Sequence, residues 1–216
     1  MTEQEGVIKY RLDYHSAPPP NVGGFTELNA WRDLLWRLGV IGQEDARYGG
    51  LGYGNLSLRL NGKSFLITGT QTGHLPHLTA DHYSWVREAR PEENYLAAEG
   101  PLPPSSEALT HAAVYGADAT IRCVAHGHSP DIWTNAKTLE LACVAEEIAY
   151  GTPAMAQAVA ALVQSHPERG LIVMLGHRDG LLTYGQTVEE SCWLMVRCLA
   201  MALMLTDDSG GDVKPR

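Results

Sequence analysis

The hydrophobic positions of this chain change period several times along its length, and each change marks an element boundary. Trp31, Leu34, Leu35 and Leu38 recur at helical spacing, with Thr26 as N-cap and Gly39 as the stop, which predicts an amphipathic helix. The alternation Leu56-Ser57-Leu58-Arg59-Leu60 predicts a strand, Asn61-Gly62 a hairpin turn, and Ser64 to Thr68 the returning strand. A helix or strand is expected around His82 to Arg87, followed by an exposed stretch rich in Glu and Pro up to Pro104. Ser105 or Ser106 caps a helix reaching about Tyr115, which puts Glu107 in its first turn. Thr120 to His128 reads as a buried strand, and Pro153 opens a helix that runs to Gln164. Leu171 to Leu175 and Gly180 to Tyr184 read as short strands with His177 between them. Thr187 and Glu190 form a capping box for a last helix, whose apolar positions are Trp193, Val196, Leu199, Ala200 and Leu203.

Strands interleaved with helices, including one tight hairpin, predict an α/β protein whose sheet is mixed or antiparallel rather than doubly wound and parallel. The 216 residues suit one domain, and no internal repeat is visible. Residues 1–24, with Pro18-Pro19-Pro20 and Gly23-Gly24, read as an extended arm laid over the domain or a partner subunit. Residues 25–206 then form the domain and 207–216 a frayed tail.

A net charge of −9 without any Lys/Arg cluster argues against nucleic-acid and anionic-membrane partners and leaves a small-molecule substrate. The N-terminus is acidic, no apolar stretch of signal length follows it, and the longest apolar segment is broken by Arg197, so a cytoplasmic protein is expected. Four cysteines in apolar surroundings, with no Cys-x-x-Cys pair, read as reduced thiols.

Candidate chemistry centres on histidine. In a strand from Val124 to His128, period two turns His126 and His128 to one face, where a divalent ion accepts a nitrogen from each. Glu107 upstream and His177 downstream complete a plausible cage with an open coordination position. The glycine-rich run Gly49 to Asn55 fails the dinucleotide fingerprint, which needs glycine where Asn55 stands. No zincin helix, hydrolase elbow or Walker sequence occurs. His111, four residues after Glu107, reads equally as a contact to the site or as a core histidine, and His74 and His77 as solvated loop residues.

Together these pieces resemble the class II aldolase/adducin family. The blocks are Gly54-Asn55-Leu56-Ser57-x-Arg59, Leu66-Ile67-Thr68 with a Thr72-Gly73 turn, and Pro104-Ser105-Ser106-Glu107. Further on come His126-Gly127-His128-Ser129-Pro130, Gly151-Thr152-Pro153, and His177-x-x-Gly180-Leu181-Leu182-x-x-Gly185 running into Thr187-Val188-Glu189-Glu190. The resemblance implies a three-layer α/β/α sandwich around a mostly antiparallel sheet, assembled as a homotetramer. It implies that His126, His128 and His177, with Glu107, hold a divalent ion, most simply Zn2+. Glu107 becomes the acid/base, and Gly54, Asn55, Thr72, Gly73, Ser105 and Ser106 the substrate-phosphate site. The implied activity is aldolase-type cleavage through an enediolate, which a dipositive ion on neutral imidazoles would stabilise.

Two departures qualify this expectation. The loop Gly69-Thr70-Gln71-Thr72-Gly73 is longer than the family's usual form, which leaves room for a non-phosphorylated substrate. Where several family aldolases carry a donor tyrosine, Glu147 stands by count, with Tyr150 nearer the glycine. Epimerisation and dehydration use the same metal chemistry, and a non-catalytic oligomeric module like the adducin head is the alternative from another class.

Overall fold

The computed structural model describes residues 6–166 and 170–209, the side chains of 206–209 excepted. The first half of the chain forms β1 (Arg11–Ser16), α1 (Phe25–Arg37), β2 (Gly42–Gln43), β3 (Gly52–Tyr53), β4 (Asn55–Arg59), β5 (Phe65–Thr68), β6 (Tyr83–Arg90) and β7 (Tyr95–Gly100). The second forms α2 (Ala108–Ala117), β8 (Cys123–His128), α3 (Pro130–Thr134), β9 (Ala142–Val144), α4 (Pro153–Ser165), β10 (Leu171–Met174), β11 (Gly180–Gly185) and α5 (Val188–Ser209). Nine strands make one sheet in the order β1-β7-β6-β5-β4-β8-β11-β10-β9, and β2 pairs with β3 separately. Within the large sheet only β1–β7 and β10–β9 are parallel.

Period-two patterning divides the apolar side chains between the two faces. On one face Leu56, Leu58, Leu66, Cys123 and Ala125 pack under α1, α3 and α5 through Leu28, Leu35, Ile132 and Met195. On the other, Phe65, Ile67, Val124 and Ile172 pack under α2 and α4 through Leu109, Val114, Met155 and Val159. The result is the α/β/α sandwich around a mixed, mostly antiparallel sheet that the sequence led one to expect. The hairpin is present in register, Ser57 opposite Ile67 and Arg59 opposite Phe65.

Several expectations need correction. Helix α1 begins two residues early: Gly24, at φ 83°, takes the N-cap and Thr26 lies inside the first turn, while Gly39 at φ 71° ends the helix as read. The stretch expected to be exposed before Pro104 contains β7, whose Leu96 and Ala98 are buried between β6 and β1. Its alternation is faint because two of the three inward residues, Ala98 and Gly100, are small. Within the segment read as an arm, residues 11–16 join the sheet as β1, with Arg11 opposite Tyr95 and Ser16 opposite Gly100.

Helix α5 is capped as predicted, Thr187 Oγ1 accepting from the Glu190 amide at 3.0 Å, but the Glu190 carboxylate reaches back to the Gln186 amide at 2.7 Å. Its inward stripe is Val188, Cys192, Met195, Cys198 and Ala202, whereas Trp193 and Leu203 are 57 % and 45 % exposed. Small and sulfur-bearing side chains win the inner face because β8 comes close there: a Cβ on Gly127 would lie 2.9 Å from Met195 Sδ and 2.4 Å from Val40 Cγ1. All four cysteines are free. Among the described residues no helix is long and apolar enough to cross a membrane. Of the tail read as frayed, residues 210–216 lie outside the described residues.

Candidate metal centre and anion cradle

The pleat of β8 turns His126 and His128 to the face that Val124 shares with α2 and α4. His177 arrives from the turn between β10 and β11, which is closed by His177 N donating to Met174 O and Gly180 N to His177 O, each at 2.9 Å. Gly180 pairs directly with His128, so the turn is pinned to the end of β8. All three imidazoles are buried, and one ring nitrogen from each lies within 4.8 Å of the others.

His126 Nδ1 sits 3.0 Å from the Leu181 carbonyl. A carbonyl only accepts, so Nδ1 carries the proton and Nε2 keeps its lone pair. That Nε2 lies 3.2 Å from His128 Nε2. Burial first, then His177, His126 and Arg47, hold the His128 imidazole well below its usual range, hence neutral. Neutral nitrogens converging in a dry site match the donor preference of a borderline divalent ion.

Glu107 occupies the N-cap position of α2 rather than its first turn, is buried, and accepts from Thr110 Oγ1 at 2.8 Å. The cluster of converging ligand atoms comprises the three histidines, with Glu107 outside it.

Next to this cluster lies the second part of the site. Asn55 on β4 is the register partner of His126. Gly54, Asn55, Thr72, Gly73, Ser105 and Ser106, gathered from three separate segments, all line one small cavity of about 20 Å³. Asn55 Oδ1 is buried there without a hydrogen-bond partner. Glycine is required at two of these positions. Gly54 holds φ 76°, with a built Cβ 2.8 Å from Ile41, and a Cβ on Gly73 would meet Gly42 O at 2.2 Å.

His111 is fully buried, its Nδ1 2.7 Å from Ser57 Oγ, which in turn lies 2.7 Å from Tyr115 OH. Burial and then His126 lower its basicity strongly. It is a core histidine beside the cluster. His74 and His77 are exposed, and His77 pairs with Asp33 of α1 at 2.6 Å.

The histidines have an aromatic shell that the sequence did not disclose. Tyr48 and Tyr53 place their rings 4.7 and 5.4 Å from that of His128. Tyr48 donates to Asp179 Oδ2 at 2.7 Å and accepts from Arg47 at 2.8 Å. Burial and the hydrogen bond to Glu44 push the Tyr53 phenol up to about 12. Glu147, which stands by count at the donor position, is exposed, and Tyr150 stacks flat on His177 with centroids 4.2 Å apart and planes at 15°. The only advance signal for Tyr150 was its place before Gly151. A roomier hollow of about 340 Å³ between α2 and α4, lined by Ala112, Ala113, Ala156 and Gln157, contains none of these groups.

A mixed sheet carrying three inward histidines beside a glycine- and serine-lined cradle defines a class II aldolase type of architecture with a possible three-histidine metal site. The model of the Class II Aldolase and Adducin N-terminal domain matches residues 44–205, and the chain belongs to that family. Among solved structures it is similar to L-fuculose-1-phosphate aldolase from Thermus thermophilus, at 20 % identity and TM-score 0.64, over 88 % of this chain and 98 % of that one. It is also similar to a sugar-phosphate aldolase from Thermotoga maritima, at 13 % identity and TM-score 0.66, over 89 % and 99 %. A third is YgbL from Klebsiella pneumoniae, a putative aldolase/epimerase/decarboxylase, at 18 % identity and TM-score 0.64, over 88 % and 91 %. Compared by sequence with curated proteins, the chain has no match. Identities this low bear on the fold alone.

Proposed function

We propose that the protein is a divalent-metal-dependent aldolase-type lyase, cleaving a carbon–carbon bond in a small sugar or hydroxycarbonyl substrate that carries an anionic group. The observation behind this reading is the adjacency of the two half-sites: the Asn55 cradle sits one strand from the paired rings of His126 and His128. His126, His128 and His177 would hold the ion, and zinc suits three neutral nitrogens with a coordination position left for substrate. The ion supplies Lewis-acid polarisation of a substrate oxygen when bound. Gly54, Asn55, Thr72, Gly73, Ser105 and Ser106 would anchor the anion through amide and hydroxyl donors.

Glu107 would move the proton. Its burial raises the cost of the charged form, while Thr110 donating to Oε2 fixes the orientation of the carboxyl. Support for a homo-oligomer, a tetramer in this reading, comes from α5, where Trp193, Met201 and Met204 stand exposed on one side. A non-catalytic scaffold would have no use for three buried imidazoles with one ring nitrogen from each within 4.8 Å of the others.

The test combines metal analysis of the purified protein with cleavage assays on ketose 1-phosphates and their unphosphorylated counterparts. A stoichiometric divalent ion, lost in His126→Ala together with cleavage, supports the lyase. Protein that binds no metal, with stability unchanged in His126→Ala, would leave the scaffold.

A further inference from the structure

Residues 6–16 precede the family-matched stretch 44–205, yet positions 6, 9 and 10 reach three different parts of the site. Gly6 lines the anion cradle, and its carbonyl accepts from Gln71 Nε2 at 3.5 Å. The buried Tyr10 donates to Ser105 O at 2.8 Å, just ahead of Glu107. Lys9 Nζ donates to the Tyr150 carbonyl at 3.0 Å and stands 3.5 Å from the centroid of the Tyr150 ring. The segment is tied down between these contacts by Asn94, which donates from Nδ2 to Lys9 O at 3.1 Å and accepts at its own carbonyl from Arg11 N at 2.8 Å.

The Lys9 contacts are the informative ones. An ammonium 3.5 Å from the centroid and an imidazole stacked at 4.2 Å cannot share one face of a phenol ring, so Tyr150 is sandwiched between Lys9 and His177. On its far side His177 stacks against His126, with centroids 5.1 Å apart and planes at 23°. The Lys9 stem also runs along Gly151, where a built Cβ would meet its Cδ at 3.2 Å. The ammonium is attracted to the face of the ring and its hydrogen bond fixes the backbone that carries the ring. The imidazole is then left with one orientation.

We propose that Lys9, supplied by the segment that leads into β1, is a positioning residue for His177: it clamps Tyr150 against the imidazole and so presets the geometry of the third ligand. This rests on the metal-centre reading above. The test is titration of metal-stripped, full-length protein with Co2+, following visible absorption, for the wild type, Lys9→Ala and Lys9→Arg. Lys9→Ala should bind Co2+ roughly two- to fivefold more weakly, the size of one exposed cation–π contact, with an altered absorption envelope, and Lys9→Arg should restore both. The sign is decisive. Removing a cation near a dication would by charge alone tighten binding, so an unchanged or tighter Lys9→Ala titration overturns the positioning role. A wild type that takes up no stoichiometric Co2+ brings down the metal centre and this proposal together, whereas normal wild-type binding with an unchanged Lys9→Ala removes this proposal alone.

Discussion

Asn55 and His126 face each other across β4 and β8 as direct register partners, so the cradle and the histidine cluster lie side by side at the same end of one strand pair. In the proposed reaction the sheet would fix the distance from Asn55 to the metal ligands, while the segments carrying Thr72, Gly73, Ser105 and Ser106 complete the cradle. Asn55→Asp puts a like charge where the anion would sit. Binding of a phosphorylated substrate should weaken on the order of tenfold to a hundredfold, from the loss of a charge-assisted hydrogen bond plus repulsion. Metal content should stay at the wild-type value. Isothermal titration with substrate or inorganic phosphate, paired with metal analysis, checks both halves, and undiminished anion binding would remove Asn55 from the cradle.

Gly180 has no room for a side chain. A Cβ there would lie 2.9 Å from His177 Cγ and 3.0 Å from Nδ1, so Gly180→Ala must push the imidazole aside while β11 stays paired with β8. Metal affinity should fall by about ten- to a hundredfold, as when a ligand's supporting contacts are lost. Far-UV circular dichroism should be unchanged. Wild-type affinity in this variant would show that His177 does not bind the ion in the orientation described.

Glu107→Gln keeps the hydrogen-bonding shape at the N-cap of α2 but removes the carboxylate proposed as the base. The variant should retain its metal and lose hydrogen–deuterium exchange at the reacting carbon of a bound ketose by at least about a hundredfold, the lower range for general base catalysis. NMR detection of exchange decides the matter, and persistent exchange would send the search for the base elsewhere.

The buried His111 gives the apo-protein a pH signature. Above about 6.5, the ordinary imidazole value, this side chain is neutral in both folded and unfolded chains and contributes no pH dependence. Below it the unfolded chain takes a proton that the folded one refuses, so stability falls as the pH falls. Between pH 7 and 5 this group should therefore subtract from stability. In His111→Gln the loss over that interval should be smaller, whatever the variant's starting stability. Urea denaturation of metal-stripped protein at the two pH values measures it, and equal losses would show that His111 titrates normally.

Much of this molecule is written locally. The β4–β5 hairpin, β8, β11 and α4 follow from periodicity and caps, α2 from its periodicity although its N-cap is Glu107 and not Ser105 or Ser106, and the His126–His128 pair from the pleat alone. What escaped depends on packing across distance. The inner face of α5 is carried by Cys192, Met195, Cys198 and Ala202, with Met195 packed against Gly127, while the larger Trp193 misleads any count of hydrophobicity. Strand β7 hides behind the small Ala98 and Gly100. In the site, the family blocks bring Gly54, Asn55, Thr72, Gly73, Ser105 and Ser106 to one cavity, but no spacing rule joins Lys9 to Tyr150, 141 positions apart, or Tyr48 to Asp179, 131 apart. Such pairs exist only once the sheet has closed.

Strand β1 adds a matter of timing. Its partner in the sheet begins at Tyr95, so β1 has nothing to dock on until synthesis has passed the far side of β6. A pairing so far apart in sequence is entropically late. The edge of the sheet at β1 therefore closes late, and in nascent chains residues 11–16 should remain open to protease after the β4–β5 hairpin is already protected.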